Sequence, residues 1–431
     1  MLPSNQNMIT ILFSNNRKLI YLVKSILYCA IFLNTVSLYS KRIDVCQQCI
    51  VKSIKTAIHL AKAGDTIIID NGTYKEGLVI IDKSISIIGK NDVIIDGNSE
   101  NHVFDVRAND VKIQNLKIIN GGVSDLFEFA GIHAERVKGC QFLNNQFENT
   151  AYALYLAEVN NCVLRDNKSI GQAKNEVSGG NGIHLWSSEQ IEIYNNTLEH
   201  HRDGIYLEFS KLLKIEGNTS RDNIRYGMHF MFSSENQFRK NIFENNSAGV
   251  AVMYSKKILV EGNIFKDNWG QASNGLLLKD ISDSFFLKNL FINNTIAIFA
   301  DGSNTNQFIK NDFINNGWGI KILGNSDFNQ VFENNFQHNV FDVSTNSKST
   351  SNVFLRNFWD KYKGFDLNHD IQGDIPHKPI HFFSYWVAVY PFLMILYDSP
   401  VVLFLQGIEK AFPIVTPIDF EDKHPMMRVN N

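Results

Sequence analysis

The sequence predicts an all-β fold, a right-handed parallel β-helix, and three observations carry that prediction. Asn recurs at a nearly fixed interval, at Asn145, Asn167, Asn196, Asn218, Asn241, Asn263, Asn289, Asn311, Asn334 and Asn357, with successive differences of 22, 29, 22, 23, 22, 26, 22, 23 and 23. Three residues before each stands an apolar residue, from Phe142 and Leu164 to Val331 and Phe354, and two residues after eight of the ten stands a large apolar one such as Phe243, Phe265 or Phe291. The intervening segments are short β-branched and aromatic runs punctuated by Asn and Gly, with no helical period. A period near 22 residues fits one coil of a solenoid whose coils hydrogen-bond to one another. A leucine-rich repeat has a similar period, but its Leu pattern is missing.

Taken in order, the chain of 431 residues opens with Arg17, Lys18 and Lys24 before an apolar stretch from Ile26 to Leu38, followed by small residues to Ser40. This pattern reads as an export signal over residues 1–40, with an uncleaved anchor as the rival reading. Cys46 and Cys49 form a CxxC, which in an oxidising compartment reads as a disulfide; a thiolate metal site lacks a second CxxC. Residues 53–64, SIKTAIHLAKAG, place Ile54, Ala57, Ile58 and Ala61 on one helical face, with Ser53 as a cap and Gly64 as a stop. Residues 41–64 are therefore an N-terminal segment and capping helix. The strand runs TIIID, LVIID, SISIIG and DVIIDG open the β-helix, which extends over 65–360. Cys140 and Cys162 share one register position with Ile191, Leu213 and Ile258, which points them into the core, with a disulfide between coils as the lesser alternative. Asn pairs such as Asn144-Asn145 and Asn245-Asn246 suit turns, because Asn tolerates left-handed backbone. The long intervals come from insertions at 173–180 and 269–274. Both precede the same strand position, where insertions often frame a binding face, with tolerated surface loops as the equal rival reading.

The strand after each turn reads GIHA at 131, ALYL at 153, GIHL at 182, GIYL at 204, GMHF at 227, GVAV at 249 and GLLL at 275. Side chains alternate along a strand, so the third residue of each points outward. The outward column is His133, Tyr155, His184, Tyr206, His229 and Ala251. Two residues on, a second column holds Glu135, Ala157, Trp186, Glu208, Met231 and Met253. His229 and Met231 thus share one face of one strand, and Met253 neighbours Met231 on the next coil. An imidazole and two thioethers suit soft Cu(I) better than zinc or calcium. His184, one coil removed, is a weaker candidate ligand. His200 and His201 fall on a turn and are expected in solvent.

Residues 361–380 form a turn-rich cap. Asp366, Asn368 and Asp370 alternate like the start of a calcium loop, but Ile371 stands where Gly is needed and no Glu closes the loop, so calcium is not expected. Residues 381–431 are an apolar helical segment and tail, in which the strongly apolar run from Phe382 to Leu405 is broken by Pro391, Asp398 and Pro400 into two short segments, one ending at Pro391 and one running from Pro400 to Phe412. These close the end of the solenoid or dock on a membrane protein through Pro391, Phe392, Leu393, Pro400, Val401, Leu403, Phe404, Leu405 and Phe412. The formal net charge of −3 implies no nucleic-acid surface.

The runs RYGMHFMFSSEN, AGVAVMYSKKILVEGN, GLLLKDISDS, NFWDKYKGFDLNHDIQGDIPHKP and SPVVLFLQGIEKAFP resemble the NosD family over roughly 53–413. The resemblance implies a periplasmic accessory protein for maturation of nitrous-oxide reductase. It implies transient copper, a copper chaperone as donor, nitrous-oxide reductase as recipient, and association with an ABC transporter made of a membrane subunit and an ATPase. The family form has Gly where Ile371 and Gln372 stand here, which puts the local turn in question. No GxxxxGK[ST] occurs, so ATP hydrolysis would belong to a partner. A non-enzymatic role is expected. The competing enzyme reading is a polysaccharide lyase, hydrolase or epimerase, for which the outward columns offer few paired carboxylates. An adhesin-like scaffold is a third reading.

Overall fold

The computed structural model describes residues 40–124, 126–175, 179–347, 349–411 and 420–430. The expected signal (apart from Ser40) and Phe412 lie outside the described residues. The described strands form three parallel sheets of fourteen, twelve and thirteen strands, and every paired strand joins the equivalent strand of a neighbouring coil. The fold is a parallel β-helix with one strand per sheet in each coil. The first sheet holds short strands such as Gln141–Leu143, the third holds Gln146–Glu148, and the second holds the longer ones, such as Tyr226–Met231 and Ala248–Met253.

The Asn residues chosen from the sequence are the turns between the first and third sheets. Asn145 donates from its backbone N and its Nδ2 to Asn167 Oδ1, at 3.0 and 3.2 Å. The same clasp recurs coil by coil to Asn334 and Asn357, at 3.0 and 2.9 Å. These amides are buried, so satisfying every donor and acceptor is what makes an Asn tolerable there. The Asn pairs divide the work: Asn144 and Asn245 take φ of 50° and 51°, while Asn145 and Asn246 point inside. Phe243, Phe265, Phe291, Phe313, Phe336 and Trp359 stack through the core with centroids 4.2 to 5.5 Å apart. Cys140 and Cys162 are buried free thiols in the core, and Cys46–Cys49 is a disulfide.

Helix α1, Ile54–Leu60, closes the N-terminal end and buries Ile54, Ala57 and Ile58. It stops short of the expected Gly64. Lys83 Nζ donates to the carbonyls of Ile58, His59 and Ala61 at 2.8, 3.0 and 2.9 Å, and Asp65 accepts from Lys62 N at 2.8 Å, so the end is capped before glycine is reached.

At the other end lie α2, Phe382–Val389, a 3-10 turn, Pro391–Leu396, and α3, Pro400–Ala411. Phe383, Val387 and Val402 pack with Phe341 of the last long strand. Pro391 thus opens the 3-10 turn rather than ending a helix. Residues 420–430 return to the final coil. There Asp422 accepts from Asn357 N and Nδ2 at 2.9 and 3.0 Å and from Trp359 Nε1 at 3.1 Å, standing in for the next rung of the Asn ladder. No helix among the described residues is long and apolar enough to cross a membrane.

Candidate functional site

The outward columns of the second sheet stand in register. His229 pairs with Ala251 and Met231 with Met253 on adjacent parallel strands, while Met228 and Phe230 face the core. Both methionines are half-buried, so their thioethers line the surface. His229 points out of the solenoid but is covered. The rings of Tyr206 and Tyr226 stand 5.0 and 4.8 Å from its own, and it is only 6% exposed. Neither of its ring nitrogens has a hydrogen-bond partner.

Asp203, fully buried beside it, is gripped at both oxygens by Arg225, with Arg225 Nε at 2.9 Å and Nη2 on the other oxygen. Burial pushes its carboxyl up, but hydrogen bonding and positive charge outweigh that and hold it below the usual range. The His229 ring, whose Nδ1 lies 3.8 Å from the carboxylate, and the Arg225 guanidinium both act in that direction. His229 therefore has nitrogen lone-pair capacity that no protein group consumes, one residue pair away from two sulfurs.

His184 is placed differently. It is buried between Tyr155 and Tyr206, with centroids 4.5 and 4.7 Å away. Asn181 Nδ2 donates to its Nδ1 at 3.2 Å, which puts the proton of the neutral ring on Nε2 and removes that nitrogen as a metal ligand in this tautomer. Desolvation and the charge of Arg202 push its pKa down to about 3. The structure thus groups His229, Met231 and Met253 and sets His184 apart. His201 is a correction: it is buried, with Nε2 2.8 Å from Ser169 Oγ, because it occupies a rung of the second polar ladder and its backbone N donates to Asn223 Oδ1. His200 alone takes the exposed left-handed turn position, at φ 58°.

Three features escaped the sequence reading. Asp105 occupies the outward column one coil before His133 and accepts from its Nδ1 at 2.8 Å; extending the column back to FDV would have found it. His102 stacks on His133 at 4.3 Å from outside any regular strand. Phe209, Phe232 and Tyr254 form an exposed stack, 5.4 and 5.0 Å between centroids, beside the methionines. All three take φ near 50° (51°, 50° and 53°), the left-handed turn conformation that Arg136, Glu158, Ser187 and Asp280 also adopt at this position of other coils. In the sequence the three follow Glu208, Met231 and Met253 of the outward column. Near the chain end, Asp366 and Asp370 spend their oxygens on backbone amides of Asp370, Ile371 and Gln372, and Ile371 sits at φ 73° where a glycine would be unstrained.

A family model described as "Periplasmic copper-binding protein (NosD)" matches residues 172–365, the stretch that holds His184, His229, Met231 and Met253. Two curated relatives, from Stutzerimonas stutzeri and Pseudomonas aeruginosa, are each 29% identical over 136 residues and are named "Probable ABC transporter binding protein NosD". Over this stretch the chain is similar to NosD proteins. The match spans 31% of this chain and about a third of each relative's length, 31% and 32%.

Solved structures extend the likeness of fold across more of the chain. A Yersinia enterocolitica family 28 exopolygalacturonase has a TM-score of 0.60 at 10% identity, covering 73% of this chain and 77% of its own. A Streptococcus pneumoniae surface protein and adhesin reaches 0.56 at 15% identity, covering 68% and 94%. At such identities these show the β-helix alone.

Proposed function

We propose that this protein handles copper in the periplasm, taking up Cu(I) transiently at His229, Met231 and Met253. It would pass the ion on for maturation of nitrous-oxide reductase, in association with an ABC transporter. The observation that carries the reading is the in-register methionine pair beside a histidine with both ring nitrogens unpartnered. Among the described residues no three His, Cys, Asp or Glu side chains form a group that could hold a metal, and the proposed site draws instead on methionine sulfur. Copper is cargo in this scheme. Two thioethers and one imidazole hold it without the thiolates that would retain it or oxidise. The half-exposed methionines leave one side open to a donor chaperone, and the stacked Phe209, Phe232 and Tyr254 give such a donor an apolar surface beside the ion. The transporter's membrane subunit and its ATPase would be engaged through the chain end. There Phe392, Val401, Leu403 and Phe404 are 72%, 58%, 55% and 69% exposed, and Pro391 and Pro400 are also exposed, while Leu393 packs partly inward and Leu405 is half-buried.

The test is a Cu(I) titration against a chromophoric competitor. The parent protein binds, and Met231→Ala, Met253→Ala and His229→Ala each weaken binding at least tenfold. Equal affinity in parent and variants removes the site.

A further inference from the structure

N-terminal to the methionines, the outer face of the second sheet widens into a groove of about 540 Å³, floored by His133, Tyr155 and His184 and flanked by Phe127, Trp186 and Glu208. We propose that this groove binds a neutral oligosaccharide laid along the solenoid axis. Most of its floor precedes residue 172, outside the stretch matched by the copper-binding family model.

The polar atoms on the floor alternate in character. A carboxylate only accepts, so the 2.8 Å bond to Asp105 puts the His133 proton on Nδ1 and leaves Nε2 as an acceptor when the ring is neutral. His184 is the reverse. Its Nδ1 accepts from Asn181, and its Nε2–H donor is buried, 5% exposed as a residue, with no partner in the protein. A buried donor left unpaired costs about 1–3 kcal/mol, which a ligand acceptor would recover. A sugar hydroxyl both donates and accepts, so one chemical group satisfies both histidines. Trp186 and Phe127, 37% and 64% exposed, supply the flat apolar surfaces on which the C–H faces of a pyranose ring stack. Successive floor residues stand one coil apart, about 4.8 Å, close to the length of one sugar unit, so consecutive units would meet equivalent positions.

The same observations exclude other ligand classes. Glu128, Glu135, Glu158 and Glu208 line the groove against a single cation, Arg136, which already contacts Glu135 at 2.9 Å and Glu158 at 3.3 Å. That balance repels a polyuronate. No three of the described His, Asp and Glu side chains converge, which disfavours a cation. The backbone of the floor is paired on both sides by neighbouring coils, so a peptide cannot join as an added strand.

Calorimetric titration of the protein with cellohexaose, maltohexaose, chitohexaose and hexagalacturonate tests this. At least one neutral hexamer is expected to bind. Trp186→Ala and Phe127→Ala should each weaken that binding at least tenfold with unchanged Cu(I) affinity, and hexagalacturonate should bind at least tenfold more weakly. The proposal is overturned if no neutral hexamer binds at millimolar concentration, if both variants bind like the parent, or if hexagalacturonate binds as tightly. The copper reading stands or falls separately, on the methionine variants.

Discussion

At the scale of single residues, this chain converts a poor core residue into a structural one by repetition. Asn263 is fully buried. Its Oδ1 accepts from Asn241 N and Nδ2, both at 3.0 Å, and its Nδ2 donates to Phe238 O and Asn289 Oδ1, both at 3.0 Å. Removing that side chain takes a partner from four buried polar groups, of which Asn241 Nδ2 keeps Ile215 O and Asn289 Oδ1 keeps Asn263 N. At about 1–3 kcal/mol for each group left unpaired, with some relaxation, Asn263→Ala should cost on the order of 4 kcal/mol. Asn263→Asp keeps the acceptor but places negative charge against Phe238 O, so it should be no better. Denaturant midpoints of the two variants check this; a loss under 1 kcal/mol in both would show that water replaces the side chain. His229 follows the opposite logic. Both of its ring nitrogens lack a hydrogen-bond partner, as does Nε2 of His184 and of His377, whereas the amides of the Asn ladder are paired.

At the scale of coils and strands, the interior was legible because it is periodic. The apolar position before each anchor and the Phe two residues after it follow from one interval, and the structure stacks them as the interval requires. Phe291 lies between Phe265 and Phe313, with centroids 4.6 and 5.2 Å away and no exposure. Phe291→Ala should cost about 3–5 kcal/mol for the cavity and about 0.5–1.5 kcal/mol more for each lost ring contact. In a solenoid that cost is local. Amide exchange should therefore quicken in the coils carrying Phe265, Phe291 and Phe313 before it changes near α1; uniform quickening would mean that the whole β-helix unfolds as one unit. The groove was not legible in the same way. Its wall comes from an irregular segment around Phe127 to Phe129, and His102 lies outside the regular strands, so neither obeys the interval. The aromatic stack of Phe209, Phe232 and Tyr254 does obey it, but in a turn position that elsewhere holds residues such as Ser187 and Asp280, where a large ring was not expected.

At the scale of the whole molecule, the two ends decide how the open solenoid is closed, and the C-terminal closure depends on pH. Residues 420–430 fold back so that Asp422 completes the Asn ladder, and His377 pairs with it through backbone bonds of 2.9 and 2.8 Å in the two directions. His377 is itself buried against Trp359 and Tyr362, with centroids 5.1 and 5.6 Å away, and burial pushes its pKa down to about 3. His184 and His201 are likewise pushed by burial to about 3, and the less enclosed His102 to about 4. Each of these rings is neutral when folded and titrates near 6.5 when unfolded. Their contribution is therefore complete above pH 6.5 and is lost as the pH falls towards the folded values, because only the unfolded chain takes up protons in that window. Between pH 6.5 and 5 the loss is up to about 2 kcal/mol for each fully buried ring, and less for His102, which solvent screens. The denaturation midpoint should accordingly be flat above pH 7 and fall steeply below 6.5. His377→Gln, which cannot charge, should lower the plateau at pH 7 but flatten the slope between pH 6.5 and 5. An unchanged slope in that variant would place the acid sensitivity elsewhere, and a midpoint indifferent to pH down to 5 would mean that these rings are hydrated and protonate in the folded state.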